Sequence, residues 1–224
     1  MIKIGNWWFA ENDKNRQDYA DTEWGYDPLN ASMINEINSW FKNKDKKHAI
    51  DIGANIGFMT AYFGTHWNHV TAFEPTPSIF ECLQKNCNKP NIKLINKALS
   101  DSEKNVLFAT SGRSEINQIV SDTQFLKKHW KHITIPAITL DSLNLTDLDL
   151  IKIDVEGHEL SVVNGAEKTI KNNKPLIVIE ISYENKILDR EISSLNHSHA
   201  LTTLKEWGYK VIWNHRYDWI LEPI

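Results

Sequence analysis

Asp51-Ile52-Gly53-Ala54-Asn55-Ile56-Gly57 closes the short apolar run His48–Ile52 and leads straight into the helical pattern Phe58–Trp67. The glycines at 53 and 57 permit a tight turn and a close backbone approach, and the helix start adds partial positive charge. A strand that passes through such a turn into a helix is the opening unit of an α/β sheet.

The same alternation continues outward. Strands are predicted over Val70–Glu74, Ile92–Asn96, Leu148–Asp154, Leu176–Ile181 and Val211–Trp213, with helices over Pro77–Asn88, Glu159–Asn172 and His199–Trp207. A further helix, about Ala31 to Lys42, precedes the first strand, and Thr76-Pro77 reads as an N-cap followed by proline. Asn105–Thr110 and Ile133–Leu140 read as extra or edge strands, because Pro136 suits an edge. Val211–Trp213 and Tyr217–Leu221 around Asn214-His215-Arg216 read as a hairpin. The expected fold is therefore α/β: a mostly parallel twisted sheet with helices on both faces and an antiparallel C-terminal edge hairpin. No linker or repeat interrupts it, so residues 1–224 read as one domain. An N-terminal helical and aromatic arm (1–45) precedes a core (46–182), and a helix with edge strands (183–224) follows.

In open sheets of this kind ligands sit beyond the carboxyl ends of the strands. The first end carries Asp51, Gly53, Ala54, Asn55 and Gly57, which lack the G-x-G-x-x-G pattern that admits a pyrophosphate. A cofactor without phosphates, ending in an amino acid, would suit the turn, with Asp51 near its ammonium. The alternative is a turn whose glycines serve only steric needs. The second end is Glu74-Pro75, 23 residues past Asp51. An acid there can accept hydrogen bonds from both hydroxyls of a ribose, as the acid about 20 residues on does in dinucleotide folds, or can instead cap the helix that starts at Thr76-Pro77. The third end leads to Ala98-Leu99-Ser100-Asp101, whose amides and carboxylate could edge an adenine. The fourth is the richest: Lys152-Ile153-Asp154-Val155-Glu156-Gly157-His158-Glu159. Like charges crowded beyond a buried strand cost free energy, and such clusters persist mainly where a ligand offsets the cost. The fifth strand adds Glu180 within an apolar run, so Asp154, Glu156 and Glu180 are expected to converge.

Bulk properties narrow the class. The chain has 224 residues, 41% apolar, with formal net charge -4, which argues against a dedicated nucleic-acid binder. Cys82 and Cys87 make no zinc spacing, and neither a signal sequence nor a membrane-length apolar stretch is present; a soluble, cytoplasmic protein is expected.

Taken together, Asp51–Gly57, Phe73-Glu74-Pro75, Ala98–Asp101, Thr139-Leu140-Asp141-Ser142-Leu143, Ile151-Lys152-Ile153-Asp154-Val155-Glu156-Gly157 with Glu159, and Gly165-Ala166 followed by Pro175 and Glu180 resemble the FkbM family of methyltransferases. The resemblance runs from about Ala49 to Ser182. It implies a Rossmann-like class I methyltransferase fold using S-adenosylmethionine to methylate hydroxyls of sugars and related natural products. By the same resemblance, Asp51, Gly53, Asn55 and Gly57 hold the methionine end, Glu74 the ribose, and the Ala98–Asp101 loop the adenine. Lys97-Ala98 replaces the acid often found after the third strand in the broader class. The first 45 residues and everything past Ser182 fall outside the resemblance, and acceptor choice is expected to reside there.

Methyl transfer to oxygen is an in-line displacement that rests on alignment, exclusion of water and removal of the hydroxyl proton. Asp154, Glu156 and His158 are the candidate bases, with Glu180 completing the cluster. His158 has the pKa nearest neutrality, but the helix pattern could equally turn it to the surface. The spacing requires no metal; as an alternative, Asp154, Glu156 and Glu180 could supply oxygens to Mg²⁺ or Ca²⁺. On the acceptor side, Trp7, Trp8, Trp24 and Tyr26 suit stacking on a sugar or burial against the domain; Lys127–His132 could face an anionic acceptor or form a solvated face, and Arg113 sits in a loop at lid distance. The partner expected is a small molecule, a sugar or glycoconjugate hydroxyl, with no membrane and no nucleic acid. An RNA 2′-hydroxyl methyltransferase, a nicotinamide oxidoreductase and a non-catalytic cofactor-binding module are the competing readings.

Overall fold

The computed structural model describes residues 1–11, 28–110, 117–120, 130–181 and 199–224. Its centre is a seven-stranded sheet built from β3 (His48–Ile52), β4 (His69–Phe73), β5 (Ile92–Ile95), β10 (Leu148–Ile153), β11 (Leu176–Glu180), β12 (Tyr209–His215) and β13 (Asp218–Pro223). Their order is β12-β13-β11-β10-β3-β4-β5. The pairs from β11 to β5 are parallel, and β13 runs antiparallel to both its neighbours. The expected C-terminal hairpin is present, with its antiparallel member next to the core and its outermost strand parallel to the rest.

Successive side chains of each central strand serve opposite layers, because the strand period is two. Ile50, Ile52, Ile151, Ile153, Ile177 and Ile179 pack with Val162 of α4 (Glu159–Asn164), Ile170 of α5 (Glu167–Asn173) and Leu204 of a helical segment over 199–206. Ala49, Leu150, Leu176 and Val178 face the other way. They meet Met33 and Ile37 of α1 (Pro28–Trp40) and Phe63 of α2 (Phe58–His66). Beside α2, α3 (Pro77–Asn86) contributes Ile79 and Leu83 to the same side. Runs of buried Ile, Val and Leu with no polar alternation are what a sheet covered on both faces demands.

Three departures from the sequence reading have physical causes. The helix expected over Glu159–Asn172 is two helices broken at Gly165-Ala166. A Cβ at Gly165 would collide with the Ser100 carbonyl oxygen, so the break is where another loop docks. The extra strands form a second sheet, with β9 (Lys131–Ile138) between β6 (Ala98–Leu99) and β7 (Lys104–Thr110), and β8 (Gln118–Ile119) outside β7. Pro136 pairs with Asn105, but β6 meets β9 only at Ala137 and Ile138, so the proline's other side is an edge. Finally, the N-terminal arm begins with a hairpin of β1 (Ile2–Ile4) and β2 (Trp7–Phe9). Asn86 ties it down, accepting the Trp8 N–H at 2.8 Å and donating to the Trp8 and Ile56 carbonyls. Trp7 and Phe9 are buried in the domain, Trp7 edge-on to Phe58 at 4.4 Å, which supports burial over sugar stacking for this pair. Trp24, Tyr26, Arg113 and Lys127–His129 lie outside the described residues.

Candidate active site

At the carboxyl end of β3, Asp51 is fully buried and accepts a 2.6 Å hydrogen bond from Thr60 Oγ1 of α2. Parallel register sets Lys152 directly beside it. The Lys152 ammonium, almost wholly buried, lies 3.0 Å from Asp154 Oδ2 and 3.8 Å from Asp51 Oδ1. Burial opposes the lysine's charge, but the two carboxylates outweigh it and raise its pKa above the usual range. Burial pushes the Asp51 pKa up, and Lys152 and Thr60 only partly counter it. Sequence reading gave Lys152 no role of its own; its place as the cation between two aspartates depends on register between strands distant in the chain.

The glycine turn after Asp51 is packed against its own chain. Gly53 has φ +80°, and a Cβ there would fall on the Asp154 carbonyl oxygen; at Gly57, φ +105°, it would meet Cys87 and Leu83. The steric reading of these glycines therefore suffices for the backbone. Gly53 lets the first strand end press onto the fourth, and Gly57 lets the turn pack against α3. Asn55, also left-handed at φ 51°, donates its N–H to Glu74 Oε2 at 3.0 Å, and the Thr76 N–H reaches Oε1 at 2.8 Å. Glu74 is thus fixed by two backbone amides, while burial raises its pKa to about 7 against their opposing effect. Asn96, unremarked in the sequence, braces this loop by donating to the Glu74 and Pro75 carbonyls at 2.8 and 3.1 Å.

These residues fit the amino-acid end and ribose of S-adenosylmethionine. Asp51 Oδ1 and Asn55 Oδ1 are buried acceptors with no hydrogen-bond donor, the complement of an ammonium group. Each Glu74 oxygen accepts one backbone amide and keeps a lone pair for a further donor such as a ribose hydroxyl.

In the third loop, Ala98 and Ser100 are buried, and the Ser100 N–H donates to the Ile138 carbonyl. Ser100 Oγ lies 2.9 Å from His158 Nε2. Asp101 is turned to the surface and held by Lys104 at 2.7 Å, which lowers its pKa. His158 is N-terminal to α4, where its carbonyl accepts the Val162 N–H, and its ring faces the Ser100 loop instead of solvent. Burial lowers its pKa to about 4, so the ring is neutral at physiological pH. The charges acting on it are those of Glu159, Asp101 and Lys104, which set it apart from the acid cluster.

Asp154, Glu156 and Glu180 do converge: one carboxylate oxygen from each lies within 4.8 Å of the others. Charge is divided unevenly among them. Burial works against the Asp154 anion, but Lys152 and the hydrogen bond with Glu180 together outweigh it and keep its pKa below the usual range. The Asp154 charge, followed by burial, drives the Glu180 pKa well up, and the two carboxyls hydrogen-bond. Asp218, opposite Glu180 in the β11–β13 register, is a fourth acid that sequence reading missed; burial, then Asp154, raises its pKa to about 6. Glu156 has φ 54°, and the next residue, Gly157, φ 100°. A non-glycine residue held there costs roughly 1–3 kcal/mol, and such strain clusters at functional sites.

Comparisons with known proteins follow the same lines. The Methyltransferase FkbM domain profile matches residues 51–211, continuing past Ser182 into the outermost strand of the sheet. The Hexuronic acid methyltransferase AglP of Haloferax volcanii is 27% identical over 161 residues, covering 69% of this chain and 64% of that protein. Methyltransferase 1 of Beauveria bassiana is 24% identical over 150 residues, 55% of this chain and 59% of that one. The chain thus spans less than two thirds of the length of these curated relatives. The crystal structure of Methyltransferase FkbM from Methylobacillus flagellatus superposes with a TM-score of 0.53 at 19% identity, over 79% of this chain and 43% of that one, a likeness of fold. With the glycine turn, Glu74 and the fourth-strand acids inside a match that covers well over half the residues, the chain belongs to the FkbM family of S-adenosylmethionine-dependent methyltransferases.

Proposed function

We propose that this domain transfers the methyl group of S-adenosylmethionine to a hydroxyl oxygen of a sugar or related small natural product. The observation that carries the reading is the convergence of Asp154, Glu156 and Glu180 beside the loops that fix Asp51 and Glu74. When bound, the donor supplies an electrophilic methyl on a sulfonium. Asp51 and Asn55 take its ammonium, Glu74 its ribose hydroxyls, and the Ala98–Asp101 loop its adenine. Asp154, held ionised by Lys152, orients the acceptor hydroxyl, and Glu156 removes the proton as the new bond forms. Glu180, whose pKa the Asp154 charge drives up, shares its proton with Asp154 and completes the acid wall on the acceptor side. His158 braces the Ser100 loop and is not the base. A sugar acceptor is supported by the hexuronic acid activity in the name of the Haloferax relative. A cytoplasmic setting is supported by Cys82 and Cys87, which are buried and not joined in a disulfide; no described helix is long and apolar enough to cross a membrane.

Calorimetry with S-adenosylhomocysteine tests the donor half, and transfer of labelled methyl to a panel of glycosides tests the acceptor half. Binding to wild type and to Glu156→Ala alike, with turnover lost only in the variant, is the expected result. Absence of binding to well-folded protein overturns the reading. The three converging acids would also accommodate a divalent cation. Turnover that persists after chelation is expected, since the Lys152 ammonium already compensates Asp154.

A further inference from the structure

The acid cluster accounts for the reacting hydroxyl but says nothing of the rest of the acceptor. The C-terminal hairpin does. Because β12 runs parallel to the core, its carboxyl end arrives at the same mouth as Glu180, and β13 starts there. Register places Asp218 between Glu180 on one side and His215 on the other. The two-residue turn Arg216-Tyr217 therefore overhangs the acid cluster, and the Ile181 N–H fastens it by donating to the Tyr217 carbonyl at 2.6 Å.

Its composition is unusual for its position. Arg216 has φ 51°, at a turn position where Gly, Asn and Asp are the ordinary choices. A long side chain held there costs roughly 1–2 kcal/mol. Arg216 is exposed, is the single arginine among the described residues, and pairs with no carboxylate among them. Tyr217, 38% exposed, is one of three exposed large apolar side chains among the described residues, the others being Met1 and Ile224. Trp213 and His215, at the end of β12, stack with centroids 6.3 Å apart. A guanidinium beside an uncovered ring, at the rim of a hydroxyl-activating site, is suited to a sugar that carries its own negative charge.

We propose that the turn His215-Arg216-Tyr217 selects the acceptor: Arg216 pairs with an anionic group on the sugar, a carboxylate or a phosphate, and Tyr217 packs on the ring. The inference rests on the sugar-methylation reading and narrows it to anionic sugars. The ionised acids of the mouth would repel such a substrate, so a cation at the rim must hold its charged end away from them while the hydroxyl is presented.

The test is NMR titration of the protein saturated with S-adenosylhomocysteine against methyl glucopyranoside, methyl glucopyranosiduronate and glucose 1-phosphate. At least one charged sugar should bind about tenfold or more tightly than the neutral one, as charge-assisted hydrogen bonds allow. Whether the uronate, the phosphate or both gain identifies the anion. Arg216→Met should remove the preference and Arg216→Lys should restore part of it, with native spectra elsewhere. Equal affinity for charged and neutral sugars, a preference surviving in Arg216→Met, or no sugar binding overturns the inference while leaving the donor site standing. Failure to saturate with S-adenosylhomocysteine overturns the methyltransferase reading instead.

Discussion

The Lys152 ammonium meets the Asp154 carboxylate at 3.0 Å across a strand end where almost no water reaches the lysine. Removing one member of a buried ion pair leaves an uncompensated charge, at a cost of about 3–5 kcal/mol. Lys152→Met should lower the urea midpoint by that order with an unchanged slope. A loss below about 1 kcal/mol would show that Asp51 and Asp154 do not depend on this cation.

The close approach at Gly53 separates two costs that often occur together. Gly208 also has positive φ, +85°, but a Cβ there meets nothing within 4 Å. Gly208→Ala should therefore cost only the backbone strain, about 1–2 kcal/mol. Gly53→Ala adds a collision with the Asp154 backbone and should cost markedly more, read as a larger fall in urea midpoint. Equal losses would remove the contact between the first and fourth strand ends from the account of the site.

Glu74 gives a pH dependence of defined sign. Its pKa rises from 4.5 to about 7 on folding because it is buried. Between those values the folded state binds the extra proton, so stability is lost as pH rises from about 4.5 to 7. The ceiling is about 3 kcal/mol, at 1.36 kcal/mol per unit. Glu74→Gln should flatten that part of the stability profile relative to wild type, as read by urea unfolding. The same substitution should weaken S-adenosylhomocysteine binding several-fold by calorimetry; unchanged affinity would sink the ribose assignment.

Cys87 supplies a readout of local opening. Burial pushes its thiol up to about 12, and it sits against Gly57 with its Sγ–H donated to the Gly57 carbonyl. It should resist alkylation at pH 8 in the native state and react promptly in urea. Native-state labelling at the rate of the denatured chain would mean that the glycine turn is not packed on α3.

What was legible in the sequence was what depends on local period and end chemistry. The five parallel strands announced themselves as β-branched runs, and their acids marked the mouth, because a buried strand can deliver polar groups only at its end. The break at Gly165 was not legible, since apolar residues keep helical spacing through it and only the Ser100 loop, from another sheet, explains it. The N-terminal hairpin escaped because three-residue strands are too short to show alternation. Lys152 was visible as a charge in an apolar strand, but its partner Asp51 is set by register, which no single segment encodes. Asp218 was hidden for the same reason: its neighbour Glu180 lies across a strand pair, not along the chain.

The insertion of β13 between β11 and β12 has a further consequence. On the proposed assignments, the donor would be gripped by loops within residues 51–101, whereas the wall overlooking the acceptor would come from β12, β13 and the turn between them. Two selective pressures can then act on separate stretches of the gene. On that reading, exchange of one short turn would alter the choice of acceptor and leave the grip on the methyl donor undisturbed.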